Sequence, residues 1–280
     1  ERGFYLMKNY AIGVFDSGMG GLTTVKELNS ILPNENIIYF GDTARIPYGS
    51  RSKETILKYA KQDINFLKSH KIKMIIAACG TVSSTVLSNP IEDINTHFVG
   101  VVIPACKTAC KITKNKKVGI IGTPATIRSE SYVTTIKSMD SSIEVLGVSC
   151  PMFVHLVENG YTNRDNVVTK IIAEEYLEPI KKFGADRISV NPQTFNDDVL
   201  NTIGRKHSAQ QTIDAYNLAR SVGFENINMD LIAGLPSDTL ESFMYTIDTT
   251  IKLNPDAVTV HTLTLKRSAT LFEDISGREN

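Results

Sequence analysis

Short apolar runs alternate with longer segments of helical period through the chain. Ala11 to Phe15 is apolar and predicts a strand, and the polar, Gly-rich turn Asp16-Ser-Gly-Met-Gly-Gly21 leads into a helix reaching about Leu32. Ile37 to Phe40 predicts a second strand, closed by the long polar loop Gly41-Asp-Thr-Ala-Arg-Ile-Pro-Tyr-Gly49. From Ser52 to about Ser69, apolar residues at Ile56, Tyr59, Ile64 and Leu67 carry a helical spacing. Met74 to Ala78 then predicts a buried strand, with Cys79-Gly80-Thr81 as the turn and a helix from Val82 capped by Thr81 or Ser83. Further on, strands are expected at Arg187–Val190, Asn226–Ile232 and Ala257–His261, with helices at Ala209–Ser221 and Asp238–Lys252. Strands alternating with helices predict an α/β protein with parallel sheets.

That order gives the turn at Cys79 a chemical meaning. A cysteine at the carboxyl end of a parallel strand, facing a helix N-terminus, stands where α/β sheets place ligands. Amides and the helix dipole there favour thiolate over thiol. A buried cysteine acting as a small hydrophobe accounts for the same stretch, and both readings stay open locally. The glycine-rich turn after the first strand is not GxGxxG, and no acidic residue ends the next strand, so a dinucleotide site is rejected. Asp16 at its start is either an acid/base partner or a cap.

Composition narrows the class. The 280 residues carry 30 basic and 30 acidic side chains with no basic block, which argues against nucleic-acid or anionic-membrane partners. Four scattered cysteines give no disulfide framework and suggest a reducing, cytoplasmic setting. No apolar run is long enough to span a bilayer, and no signal-peptide core opens the chain. Residues 1–9, with Met7 inside them, read as a leader, a tag or upstream readthrough.

Three ordered segments then carry a family resemblance: Ile12-Gly-Val-Phe-Asp-Ser-Gly-Met-Gly-Gly-Leu22, Tyr39-Phe-Gly-Asp-Thr-Ala-Arg-Ile-Pro-Tyr-Gly49 and Ala78-Cys-Gly-Thr81 resemble the N-terminal motifs of bacterial glutamate racemases. The likeness runs on through Gly100–Ala105, Val118–Thr126 and Cys150–Gly160, and fades after Asp186. It implies two α/β lobes, residues 10–97 and 98–186, and a cofactor-independent interconversion of L- and D-glutamate for peptidoglycan synthesis. In such an enzyme one thiolate removes the α-proton and a second thiol returns one to the opposite face. By motif match the resemblance makes Cys79 the first catalytic cysteine, with Asp16 and Glu158 as the acidic residues assisting the thiols. It makes Asp16, Ser17, Tyr48, Gly49, Gly80 and Thr81 the substrate-contacting positions, glutamate the small-molecule partner, and leaves a homodimer open. Family members mostly have Asn where Gly80 stands.

The resemblance breaks where the second cysteine belongs. The family's Leu-Gly-Cys-Thr-His strand is replaced by Arg187-Ile-Ser-Val-Asn-Pro-Gln-Thr194, with Pro192 at the cysteine's place, and no cysteine follows Cys150. Cys106 and Cys110, four apart on one helix face, read as structural thiols, and Cys150 matches a Cys-Pro motif outside the catalytic pair. Residues 187–280 resemble instead a β/α fragment of oxygen-independent coproporphyrinogen oxidase-type radical SAM enzymes, part of whose barrel this segment would form. There the residues matching Gln193, Arg205 and Asp230 line the S-adenosylmethionine pocket. That chemistry needs a CxxxCxxC cluster motif, whereas Cys106-x3-Cys110 is followed by Thr113. The cofactor site is therefore expected to be vestigial, with no metal and no cofactor. His207 and His261 read as surface or polar-core residues. The join suggests a chimera, whether designed, a gene fusion or an assembly artefact, and three outcomes stay open: an impaired racemase, a non-catalytic chimera that binds glutamate, and a radical SAM enzyme.

Overall fold

The computed structural model describes residues 10–92, 94–161, 166–203 and 207–262. The leader assigned to 1–9 and the Arg205 position therefore lie outside the described residues. Two compact units divide at Asn159/Gly160.

In the first unit, β1 (Ala11–Asp16), β2 (Ile37–Gly41), β3 (Ile72–Ala77) and β4 (His97–Gly100) form a parallel sheet in the order β2-β1-β3-β4. Every residue of β1 is buried, as a central strand covered on both faces requires. The helix α1 (Leu22–Ile31) follows β1, α2 (Lys53–Lys68) follows β2, and α3 (Gly80–Ser88) follows β3. Ile56, Ile64 and Leu67 of α2 are buried against Phe15, Ile75 and Val82, as their spacing predicts, and Tyr59 packs on the same cluster from the side. Ser52 caps α2 by accepting the Thr55 N–H.

A second parallel pair, β5 (Lys117–Gly122) with β6 (Glu144–Ser149), is flanked by α4 (Val102–Ile112), α5 (Pro124–Arg128), α6 (Ser131–Met139) and α7 (Pro151–Glu158). Its small core joins Val102, Cys106, Ile136 and Ile143.

The second unit carries α8 (Val167–Phe183), β7 (Arg187–Ser189), α9 (Asp197–Thr202), α10 (Ala209–Val222), β8 (Asn226–Ala233), α11 (Leu240–Leu253) and β9 (Ala257–Thr262). Its strands form a parallel sheet β7-β8-β9. Glycines at 184 and 223, with φ of 92° and 93°, end α8 and α10 in the left-handed conformation that glycine adopts without a Cβ clash. Ser208 and Gln211 form a capping box at the start of α10.

The α/β architecture with parallel sheets is as expected, and the boundaries expected at 97/98 and 186/187 each fall at an element just described. The first cuts β4, whose His97–Gly100 backbone is paired with β3. The second separates β7 from α8, which packs on α10 and so belongs with the C-terminal strands.

Candidate active site

The parallel sheet of the first unit brings the ends of β1 and β3 side by side, because β1 pairs directly with β3. Asp16 closes β1 and Cys79 follows β3 at the same edge. Cys79 is the N-cap of α3: its Sγ accepts the Val82 N–H at 3.5 Å. This corrects the expectation that Thr81 or Ser83 caps the helix. Ser83 instead donates its hydroxyl to the Ala77 carbonyl, and Thr81 already lies inside the helix.

Ser17 Oγ lies 3.3 Å from Cys79 Sγ. Asp16 is buried and accepts the Gly21 N–H at 2.8 Å, which folds the glycine turn back over the strand end. A Cβ on Gly21 would sit 2.7 Å from the Asp16 Cβ, so the turn needs glycine there. The helix α1 takes no side-chain cap, so Asp16 bonds the turn at Gly21 and not the first turn of the helix. Asp16 holds the turn and it also places a carboxylate close enough to act on the thiol electrostatically.

The thiol itself behaves against expectation. Burial raises the Cys79 pKa, and the Asp16 charge raises it further, while hydrogen bonds from Ser17 and the Val82 amide pull the other way. Cys79 is only 5% exposed, so loss of hydration outweighs the helix N-terminus, and the resting group is the thiol. Tyr39 shares this environment. Its hydroxyl donates to the Gly18 carbonyl at 2.7 Å, and burial together with Asp16 and Cys79 pushes its pKa up to about 12. The Tyr39 ring also closes over Gly21, whose Cβ would meet it at 3.1 Å. Tyr39 was not singled out from the sequence.

Glu158, at the end of α7, approaches the other side of the turn: a Cβ on Gly18 would lie 3.6 Å from its Oε1. Thr81 Oγ1 meets Thr123 Oγ1 at 3.0 Å, and Thr123 in turn meets Thr126 Oγ1 at 3.0 Å. Gly80 and Thr81 open onto a cavity of about 470 Å³ shared with Cys106, Thr123, Thr126 and Tyr132. A Cβ at Gly80 would touch nothing within 4 Å, so the position has room for a side chain. Gly49 has none: its Cβ would lie 2.4 Å from that of Thr123, and its carbonyl accepts the Ala125 N–H at 2.9 Å.

Tyr48 is placed differently from the other substrate-contacting candidates. Its ring is buried in the core, and its hydroxyl donates to Asp42 and, at 3.1 Å, to Asp63. The phenol is taken up by those carboxylates, and the Tyr48 carbonyl accepts the Arg51 N–H at 2.9 Å.

Of the remaining thiols, Cys106 is buried on α4 and donates to the Tyr132 carbonyl at 3.8 Å. Burial lifts its pKa to about 11. Cys150 caps α7, its thiol donating to the Val148 carbonyl at 3.6 Å. In the second unit, Gln193 is buried at φ 66° and its backbone joins β8, donating to the Asp230 carbonyl at 3.0 Å. The Asp230 side chain accepts from Asn228 at 2.8 Å. Gln193 and Asp230 are therefore neighbours, with Asp230 in the middle of β8. His207 is half-buried and His261 exposed. Among the described residues no group of three or more His, Cys, Asp or Glu is placed to hold a metal ion, and no helix is long and apolar enough to cross a membrane.

The radical SAM superfamily model matches residues 134–250. Glutamate racemase from Sulfurihydrogenibium sp. is 44% identical over 178 residues, covering 63% of this chain and 68% of that protein. Glutamate racemase from Geobacter metallireducens is 43% identical over 178 residues, 64% of this chain and 65% of that protein. The chain thus spans about two thirds of the length of these curated relatives. A solved glutamate racemase from Francisella tularensis, in complex with D-glutamate, superposes with a TM-score of 0.57 at 30% identity over 90% of this chain and 97% of that one. The RacE1 glutamate racemase of Bacillus anthracis gives a TM-score of 0.61 at 26% identity over 92% of this chain and 98% of that one. At this identity and coverage, the chain belongs to the glutamate racemase family.

Proposed function

We propose that the chain binds glutamate at the strand ends carrying Asp16 and Cys79 and exchanges its α-hydrogen by thiol acid/base chemistry. This is the reaction class of the family that makes D-glutamate for peptidoglycan. The observation that carries the reading is the Ser17–Cys79 pair at 3.3 Å beside a buried Asp16, in the turn between a parallel strand and its helix.

Cys79 is the group that takes the α-proton, once a base relieves it of its own proton. Its raised pKa makes the thiolate a stronger base once formed but scarcer at neutral pH, so removal of the α-proton depends on prior loss of the thiol proton. Ser17 and the Val82 amide hold the sulfur by hydrogen bonds. Thr81, the Gly80 backbone and the Gly49 backbone line the substrate, and Glu158 and Asp16 are the acidic helpers.

Full racemisation requires a second acid on the opposite face of the carbanion. No cysteine follows Cys150, and Pro192 stands at the family's second cysteine position. Proline has no side-chain proton to give. The proposed outcome is washout of the α-hydrogen from one enantiomer with slow inversion. Incubation of L- and D-glutamate in heavy water, read by NMR for exchange and by chiral chromatography for inversion, tests it. Exchange that exceeds inversion and disappears in Cys79→Ala supports the reading, and equal exchange in Cys79→Ala refutes it.

The match to the radical SAM superfamily model favours a second element of the reading. Residues from β7 onward are proposed to derive from a radical SAM β/α barrel joined to the racemase part. The thiols do not fit the cluster that chemistry uses. Cys106 and Cys110 lie on α4, Thr113 follows them, and only Cys150 falls within the matched residues. No step of the proposed reaction runs through such a cluster.

A further inference from the structure

Between β2 and α2 the chain makes a tight polar knot. Asp42 accepts from Arg45 Nε at 2.5 Å and from the Tyr48 hydroxyl. Asp63, from the inner face of α2, accepts from Arg45 Nη2 at 2.8 Å and from the same Tyr48 hydroxyl at 3.1 Å. The Arg45 guanidinium lies 4.2 Å above the Tyr59 ring and donates to Gln62. Asp42 is 6% exposed and Asp63 1%, so two carboxylates face one guanidinium and one phenol with little water. Arg45, Asp42, Asp63 and Tyr48 are the charged and titratable groups in mutual electrostatic contact there.

Both ends of this loop are attached to the Cys79 site. At its start, the Asp42 N–H donates to the Asp16 carbonyl at 2.9 Å, and Gly41 lies so close that a Cβ would be 2.5 Å from the Gly18 carbonyl. At its end, Gly49 lies against Thr123, which bonds Thr81 two residues from Cys79. The knot is therefore the clamp that keeps the two ends of one loop at a fixed span. One end meets the acidic turn and the other meets the threonine pair.

We propose that Arg45, Asp42 and Asp63 are positioning residues for the thiol site, setting through Tyr48 and Gly49 the distance between the Asp16–Ser17 turn and the Thr81–Thr123 pair. The proposal rests on the reading of Cys79 as the reactive group and adds residues that touch no substrate. A core placed only for stability has no need of two buried carboxylates on one phenol, because buried ion clusters are costly against apolar packing. Asp63 is held at a pKa of about 6 by burial and by Asp42, so the knot changes charge just below neutrality.

The test is the pH dependence of Cys79 alkylation by iodoacetamide, followed by peptide mass spectrometry between pH 5 and 9. The full chain is compared with Asp63→Asn, Tyr48→Phe and Arg45→Lys. The proposal expects an inflection near pH 6 in the parent that is lost in Asp63→Asn, and a several-fold change in the Cys79 rate in Tyr48→Phe and Arg45→Lys while Cys106 reacts unchanged. Superimposable Cys79 profiles in the parent and in the folded variants overturn it. If Asp63→Asn does not fold, Tyr48→Phe, which keeps the ring, decides alone. Protection of Cys79 by glutamate is measured in the same samples. Loss of the inflection without any protection leaves the clamp standing and removes the substrate reading instead.

Discussion

Ser17 Oγ and Cys79 Sγ stand 3.3 Å apart although 62 residues separate them in the chain. Their meeting follows from the direct pairing of β1 with β3 in register Phe15 to Ala77, which sets the two strand ends level. The thiol is held by hydrogen bonds that favour its ionised form, against burial and a nearby carboxylate that oppose it.

Removing one side of that balance should move the reactivity in a stated direction. Ser17→Ala takes away a stabilising hydrogen bond and slows Cys79 alkylation at pH 8 by about fivefold, for a bond of ~1 kcal/mol. Asp16→Asn removes the opposing charge and speeds it. Parallel rates in both variants would show that neither group acts on the sulfur.

Restoring a thiol at the family's second position is the direct test of the half-site. Pro192→Cys is expected to raise D-glutamate formation from L-glutamate over the parent, toward the ~10²–10⁴-fold that a catalytic acid or base contributes. Cys79→Ala in the same background returns it to zero. Chiral chromatography of timed samples gives both rates.

Two glycines of the site should respond in opposite ways. Gly80→Asn meets open space and is expected to leave the melting temperature unchanged or higher while tightening glutamate binding by calorimetry. Gly49→Ala drives a Cβ to within 2.4 Å of Thr123 and is expected to destabilise by about 1–3 kcal/mol in urea unfolding.

Asp63 makes a prediction about stability and pH. Its pKa is raised in the fold from 3.8 to about 6, so the folded state holds the proton more tightly than the unfolded one. The contribution is fully present below about pH 4 and is lost as pH rises to about 6, on the order of 3 kcal/mol in all. Urea midpoints measured from pH 4 to 7 should fall more steeply in the parent than in Asp63→Asn. Equal slopes would assign the pH dependence elsewhere.

Much of the fold was legible because the two periods that define it are local. The apolar run Ala11–Phe15 and the spacing Ile56–Ile64–Leu67 state a strand and a helix whatever their partners, and both are found as expected. The motifs around Asp16 and Cys79 were legible as well, since a strand end followed by a glycine-rich turn is a local arrangement. A signal for the polar knot was also present and passed over. Asp63 lies between Ala60 and Leu67 on the buried face of α2, and a carboxylate at an inward position calls for a partner.

By its residues alone the chain determined an alternation of strands and helices, a thiol and a carboxylate at strand ends, and the absence of any cysteine after Cys150. Tertiary structure decided what depends on groups distant in sequence. It decided that Cys79 is a buried thiol, because desolvation is set by the surrounding core and outweighs the helix end that sequence makes visible. It decided that the Tyr48 phenol turns inward to Asp42 and Asp63. It decided that α8 joins the C-terminal sheet and β4 the first one, because strand pairing and helix packing are long-range choices that local periodicity leaves open.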